Sequence, residues 1–286
     1  EEGVTRMSLA GSISSVSRAG RYAVQQRFLS SAPSSPPTIP LAVSAAAGSA
    51  AGLLGSLCGV GGGVVIIPAL SQFTALSPHV ISATSLSVIS ISSITGAASY
   101  LEQGYTNVPV GLTLMCTSIP GAWLGARLLA HVSGPALRRG SACVMLAAAP
   151  VFAWKAERPQ KEKPAESLAS VAHRNKVRLE DIYRMHPAGA AQFVREHPDL
   201  VALGFVTGLL SGLIGIGGGL VMNTYMGICT NMEQHEIIAT GLFVAVPIGI
   251  SGTAANLAAG RVSLRASAAM AASSFVAMGL TSRYVS

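Results

Sequence analysis

Residues Gly52–Leu76 read GLLGSLCGVGGGVVIIPALSQFTAL, and residues Gly208–Met232 read GLLSGLIGIGGGLVMNTYMGICTNM. Each lies in an apolar stretch, Leu41–Leu76 and Val201–Met232, that is too long for one membrane crossing. As continuous α-helix the first would extend ~54 Å, against a hydrocarbon core of ~30 Å. Each stretch also carries a glycine cluster at its middle, Gly59-Val60-Gly61-Gly62-Gly63 and Gly215-Ile216-Gly217-Gly218-Gly219. The pattern predicts a spanning helix, a break at the glycines, and a half-membrane or re-entrant helix starting at Val64 and at Leu220.

The two stretches belong to a duplication. Shifted by 156 residues, the chain matches itself without a gap, and 21 of the 56 positions from Gly52 to Asn107 are identical. The matches bring His79 onto His235, Ala83-Thr84 onto Ala239-Thr240, Gly96 onto Gly252 and Gly104 onto Gly260. Internal repeats with interrupted apolar segments at corresponding places mark secondary transporters.

Composition agrees with a membrane protein. Half of the 286 residues are apolar and only 11% are charged, against about 25% in soluble domains. No acidic residue occurs between Gly3 and Leu101, and Pro40–Tyr100 contains no Lys or Arg. Abundant Gly, Ala and Ser suit close helix packing in lipid, not the short alternating strands of a β-barrel. Five further segments have spanning length: Val80–Leu101, Val108–Ala130, Pro135–Trp154, Ile237–Ala259 and Val262–Thr281. The expected fold is an all-α membrane protein of two homologous helix-bundle repeats with about seven to eight transmembrane helices in all.

The chain therefore divides into residues 1–40, a tail; 41–154, the first repeat; 155–199, a solvated charged loop; and 200–286, the second repeat. In the tail, Met7–Ser35 is rich in Arg, Ser and Ala and free of acids, as organelle import segments are. Arg27-Phe28-Leu29-Ser30 resembles a mitochondrial cleavage site, which places the protein in the mitochondrial inner membrane; a plastid or another cellular membrane is the alternative. The loop has a basic excess that favours the cytoplasmic or matrix side, with short amphipathic helices expected around Leu179–Met185 and Ala188–Glu196. The net charge of +7 resides mostly in tail and loop and is not a nucleic-acid signature.

Broken helices expose backbone N–H groups that lipid cannot satisfy, so they must line an enclosed or hydrated cavity. Two half-helix N-termini aimed at that cavity would bind an anion without a buried Lys or Arg. The expected substrate-binding residues are Gly59, Gly61, Gly62 and Gly63 with Gly215, Gly217, Gly218 and Gly219. Thr84, Ser85 and Thr240 are added as hydroxyl donors, although Ser and Thr also bond back to their own helix. His79 and His235 are candidates for gating or proton sensing; capping a helix at the interface is the alternative. Small residues also serve plain helix packing. Dinucleotide and phosphate-loop readings fail, because no third spaced Gly and no Lys-Ser/Thr follow the first cluster.

The four cysteines sit among apolar or small residues, outside any CxxC or Cys/His cluster, and read as buried small hydrophobes. Arg127, Arg138 and Arg139 are expected to snorkel at helix ends. Glu233 and Glu236 are placed in a loop, and no carboxylate proton relay is visible. With neither a nucleophile–base pair nor a metal or cofactor motif, an enzyme is not expected and no cofactor is assigned.

At the GxGGG cluster, Pro68, Ser77-Pro78-His79 and Ala83-Thr84-Ser85, the chain resembles the TauE/SafE family of sulfite-exporter-like anion transporters. The second repeat resembles it through GLLSGLIGIGGG and HEIIATGL. The resemblance covers Ala47–Trp154 and Leu200–Thr281 and implies two homologous halves that move sulfite, sulfonates, related sulfur oxyanions or organic anions. Two departures stand out. Thr224, beside Asn223, replaces the Pro seen as Pro68, and the sequence stops at Ser286 before any counterpart of Pro135–Trp154, so the second repeat is either truncated or one helix short. The expected function is alternating-access transport of a small anion across a lipid bilayer. The alternative is a non-transporting structural subunit of a larger organellar membrane complex; a homo-oligomer is compatible with either.

Overall fold

The structure, a computed structural model, describes residues 41–157, 198–230 and 232–284. The expected targeting segment and the two expected loop helices lie outside them. Among the described residues there are nine helices and no strand: α1 (Leu41–Cys58), α2 (Gly63–Phe73), α3 (Pro78–Glu102), α4 (Val108–Leu128), α5 (Gly134–Glu157), α6 (Pro198–Ile214), α7 (Gly219–Cys229), α8 (Gln234–Ala258) and α9 (Leu264–Tyr284). The bounds of α2, α3 and α4 fall 156 positions before those of α7, α8 and α9.

Local chemistry sets these bounds. Both apolar stretches break at the glycine clusters, where Gly59, Gly61 and Gly62 take φ of 66°, 76° and 79°, and Gly215, Gly217 and Gly218 take 80°, 90° and 70°. Only glycine adopts such a run without strain. The half-helices begin one residue earlier than expected, at Gly63 and Gly219. Each has eleven residues, or ~16 Å, about half the hydrocarbon thickness. Pro78 occupies the first turn of α3, where its missing N–H is harmless. Helices α3 and α8 both end in a Schellman motif. Gly104 N–H donates to Leu101 O and Tyr105 N–H to Tyr100 O; Gly260 N–H donates to Leu257 O and Arg261 N–H to Asn256 O.

Side chains are sorted for lipid. Helix α3 buries Ser82, Ser85, Ser87, Ser90, Ser92 and Ser93 while Ile91 and Ile94 face outward. Leu53, Leu57, Trp123, Phe205, Ile250 and Phe275 also point outward on other helices. Such a belt would be an aggregation hazard in water and is ordinary against hydrocarbon. Helices α3, α4 and α8 are long and apolar enough to cross a membrane. Helices α5 and α9 have the length but are diluted by Ala, Ser and Arg, and α1 and α6 have 18 and 17 residues. The expectation of buried cysteines is corrected: Cys58 is half-buried, and Cys116, Cys143 and Cys229 lie on outward faces. A thiol is apolar enough to sit in that belt.

Packing does not follow the sequence halves. Helix α9 lies along α1 and α3, whereas α4 lies along α6 and α8. Glycines allow the close approach: a methyl on Gly52 would come within 2.5 Å of Ser274 O, and one on Gly208 within 2.2 Å of Ser118 O. The helices fall into two groups, or units, within one continuous bundle. The first contains α1, α2, α3 and α9; the second contains α6, α7, α8 and α4. They meet mainly where α3 crosses α8. There Leu86 fills the notch at Gly252, and Leu242 fills the matching notch at Gly96.

Candidate functional site

The two glycine turns meet back to back at the boundary between the units. A methyl on Gly63 would stand 2.7 Å from Ile216 O, and one on Gly219 would stand 2.3 Å from Gly59 O. Each half-helix thus starts against the other half's turn, and the backbones leave no room for a side chain. The expected glycines are therefore together. The space over them is taken by Ile89, fully buried on α3. Its Cγ2 would be 2.7 Å from a methyl on Gly61 and 2.9 Å from one on Gly217. At the equivalent place on α8 the residue is Ala245. One isoleucine occupies the place where an anion was expected.

Two polar ties hold the turns across the boundary. Ser85 Oγ–H donates to Gly215 O at 2.9 Å, and Asn223 Nδ2 donates to Cys58 O and to Gly59 O, both at 3.0 Å. Their geometry explains Gly241, the counterpart of Ser85: a methyl there would lie 2.4 Å from Asn223 Oδ1. Each turn is clamped by the opposite unit with a different residue. Asn223 was noted only as the neighbour of Thr224. Its signal was an amide inside an apolar run, where a polar group must find a partner.

Thr84 and Thr240 are not at the turns. Thr84 Oγ1 accepts from Ser263 N–H at 3.1 Å, and Thr240 Oγ1 accepts from Asn107 N–H at 3.0 Å. The two bonds are equivalent and each ties the start of α9 or α4 to its own unit. His79 Nε2 bonds Val132 O at 2.8 Å, fastening the first turn of α3 to the α4–α5 connection. The ring of His235 lies 6.0 Å from that of Tyr105. Neither His reaches the glycines. Arg127, expected to snorkel, rests 3.4 Å over the Trp123 ring, a cation–π contact.

One placement is corrected. Glu236 is not in a loop but in the first turn of α8, only 2% exposed. Asn107 Nδ2 donates to its Oε1 at 2.8 Å, and a helix N-terminus favours a carboxylate. The flanking Glu233 and Gln234 made this stretch read as polar loop, and its long-range partner Asn107 was invisible in sequence. A buried carboxylate is thus present in the second unit; Val80 stands at the equivalent place in the first.

Outward leucines, inward serines and paired half-helices clamped at the centre define a helical membrane protein. The family described as sulfite exporter TauE/SafE matches residues 44–286, and the chain belongs to that family. Among curated proteins, it is 26% identical over 215 residues to the Bacillus subtilis (strain 168) protein named Probable membrane transporter protein YunE, covering 73% of this chain and 75% of that one. It is 21% identical over 194 residues to Probable membrane transporter protein YdhB of the same organism, covering 68% and 69%. No solved structure matches the chain.

Proposed function

We propose that this protein moves small oxyanions, sulfite or a related sulfur oxyanion or sulfonate, by alternating access. The carrying observation is the meeting of two half-helix N-termini, each against the other half's glycine turn, at the boundary between two packed units. The boundary is bridged by the α3–α8 crossing and by the ties of Ser85 and Asn223, so rocking requires that crossing to slide and those ties to break. The 156-residue offset in helix bounds supports an origin by duplication. The moving bodies are then the packed units, with α4 and α9 exchanged between the halves. The name of the family supports sulfite as the first anion to try.

A second reading, a structural subunit of a larger membrane complex, is favoured by Ile89, which fills the space over both turns. Uptake of labelled sulfite into proteoliposomes of the full chain separates the two. Uptake above that of protein-free vesicles, competed by other sulfur oxyanions, is expected. No uptake of sulfite, sulfate, thiosulfate or small sulfonates by well-folded protein leaves the structural subunit.

The mitochondrial inner membrane is the proposed location, supported by the Arg-rich, acid-free Met7–Ser35. A fluorescent reporter carrying residues 1–40 is expected to enter mitochondria; diffuse or plastid fluorescence rejects that location.

A further inference from the structure

We infer that the notch between α2, α3 and the start of α5 binds the phosphate of an anionic membrane lipid, with Arg138 as its charged ligand. The two ends of the bundle differ in charge. At one end, His79 Nε2 bonds Val132 O and Arg261 Nη1 donates to Ala126 O. The starts of α3, α5 and α9 therefore lie with the ends of α4 and α8, and Arg127, Arg138, Arg139, Arg261 and Arg265 all stand there. At the other end, Gln103 Nε2 donates to Ser282 O and Asn107 N–H to Thr240 Oγ1, and α6 runs beside α4 in the same direction. Glu102, Asp199, Glu233 and Glu236, the acidic residues with described side chains, belong to that end. Among the described side chains, then, no carboxylate is in place to neutralise the arginine-bearing end.

Arg138 borders a notch of about 20 Å³ with Ser141 of α5, Ser71 of α2, and Pro78 and Ser82 of α3. Ser71 and Ser141 donate to Pro68 O and Arg138 O. The Arg138 side chain is exposed and Ser82 is 4% exposed, and neither side chain has a described polar partner. They are the donors left for a ligand. Arg138 stands four residues into α5, ~6 Å along its axis, within the polar layer of about 5–8 Å that covers each side of the hydrocarbon. Trp123, stacked with Arg127 at the end of α4, marks the same layer, where aromatic belts form.

The ligand class follows from this depth and charge. A guanidinium matches phosphate oxygens in two-pronged fashion, and basic pockets between membrane helices recognise lipid head groups. A notch of this size admits a single oxygen, so the phosphate rests at its mouth against the guanidinium. One unpaired guanidinium balances the single charge of a phosphodiester. Pro68 and Phe73, exposed on α2 beside Ser71, offer apolar surface to the acyl chains, which an ion from solution would not use. A headgroup held there fastens the start of α5 to α2 and α3.

The test uses the purified full chain in a neutral detergent, with phosphatidylglycerol or phosphatidylcholine added and bound lipid counted by native mass spectrometry. Wild type is expected to retain phosphatidylglycerol and to melt higher in its presence. It should do neither with phosphatidylcholine, whose phosphate is paired with its own choline cation. Arg138→Gln should melt like wild type without lipid, because the side chain is exposed, and should bind phosphatidylglycerol roughly tenfold to 100-fold more weakly. Arg139→Gln and Arg265→Gln remove the same charge from the same end and should bind as wild type does. If either weakens binding as much as Arg138→Gln, that end attracts lipid by charge alone and the notch is overturned. Equal binding by wild type and Arg138→Gln, including none by either, overturns it outright. Inorganic phosphate and sulfite at millimolar concentration should not displace the lipid; displacement by either assigns the notch to an anion from solution instead.

Discussion

A Ser87→Cys/Ser267→Cys chain, with the four native cysteines replaced by alanine, is expected to form a disulfide on oxidation, to melt at a higher temperature, and to keep its sulfite uptake. The two hydroxyls touch at 2.5 Å across the α3–α9 contact, both buried. Side chains in such contact fall within reach of a disulfide, whose β-carbons stand about 3.5–4.5 Å apart. The residues are 180 positions apart, and closing a loop of that order should stabilise the fold by about 5 kcal/mol. Both belong to the first packed unit, so rocking of one unit against the other leaves their separation unchanged. If the sequence halves were the moving bodies, α9 would leave α3 in each cycle and oxidation would arrest transport. Melting curves and uptake, with and without reductant, decide the matter: an oxidised chain that stops and restarts on reduction overturns the two-unit description.

Gly215→Ala is expected to abolish the folded protein. Its φ is 80°, a region that costs a side-chain-bearing residue about 1–2 kcal/mol. The added methyl would also lie 2.3 Å from Ser82 O and 2.8 Å from Ser82 Cα. Those are backbone atoms of a packed helix, so no rotamer change relieves the contact, and the combined loss should exceed about 4 kcal/mol. Two controls separate the causes. Gly260 has φ of 66° with nothing within 4 Å of an added methyl, so Gly260→Ala should cost only the conformational strain, about 1 kcal/mol. Gly140, inside α5 and equally open, should gain about 0.5–1 kcal/mol on mutation to Ala. Melting temperatures and the monodisperse fraction after detergent extraction report the order. If Gly215→Ala melts with Gly260→Ala, the turn is not pinned on Ser82.

The glycine-broken helices were legible because over-length and a glycine cluster are local properties of the chain, and α2 and α7 differ from expectation by one residue at their starts. The pairing of α4 with the second half and α9 with the first was not. Amphipathic pattern says which face of a helix is inward but not which helix it meets, and glycine notches such as Gly52 and Gly208 name no partner. Site residues divided along the same line. The glycines came together because backbone shape brings them together. Thr84 and Thr240, chosen for their hydroxyls, are engaged elsewhere, since a Thr near a helix start serves the nearest orphan N–H first. Only the structure distinguishes hydroxyls bonded to their own helix from those left without a partner.

The exchange of α4 and α9 also bears on how the chain is made. Helix α4 is translated before the bundle it joins, but the first unit waits for α9. Taken in order from the N-terminus, the serine-lined face of α3 enters the membrane before α9, whose Ser267 lies 180 positions after Ser87. During that interval the face has neither its native neighbour nor water in the bilayer. The insertion machinery, or a provisional partner helix, has to shelter it, which makes this half of the protein the one most exposed to quality control while insertion is under way.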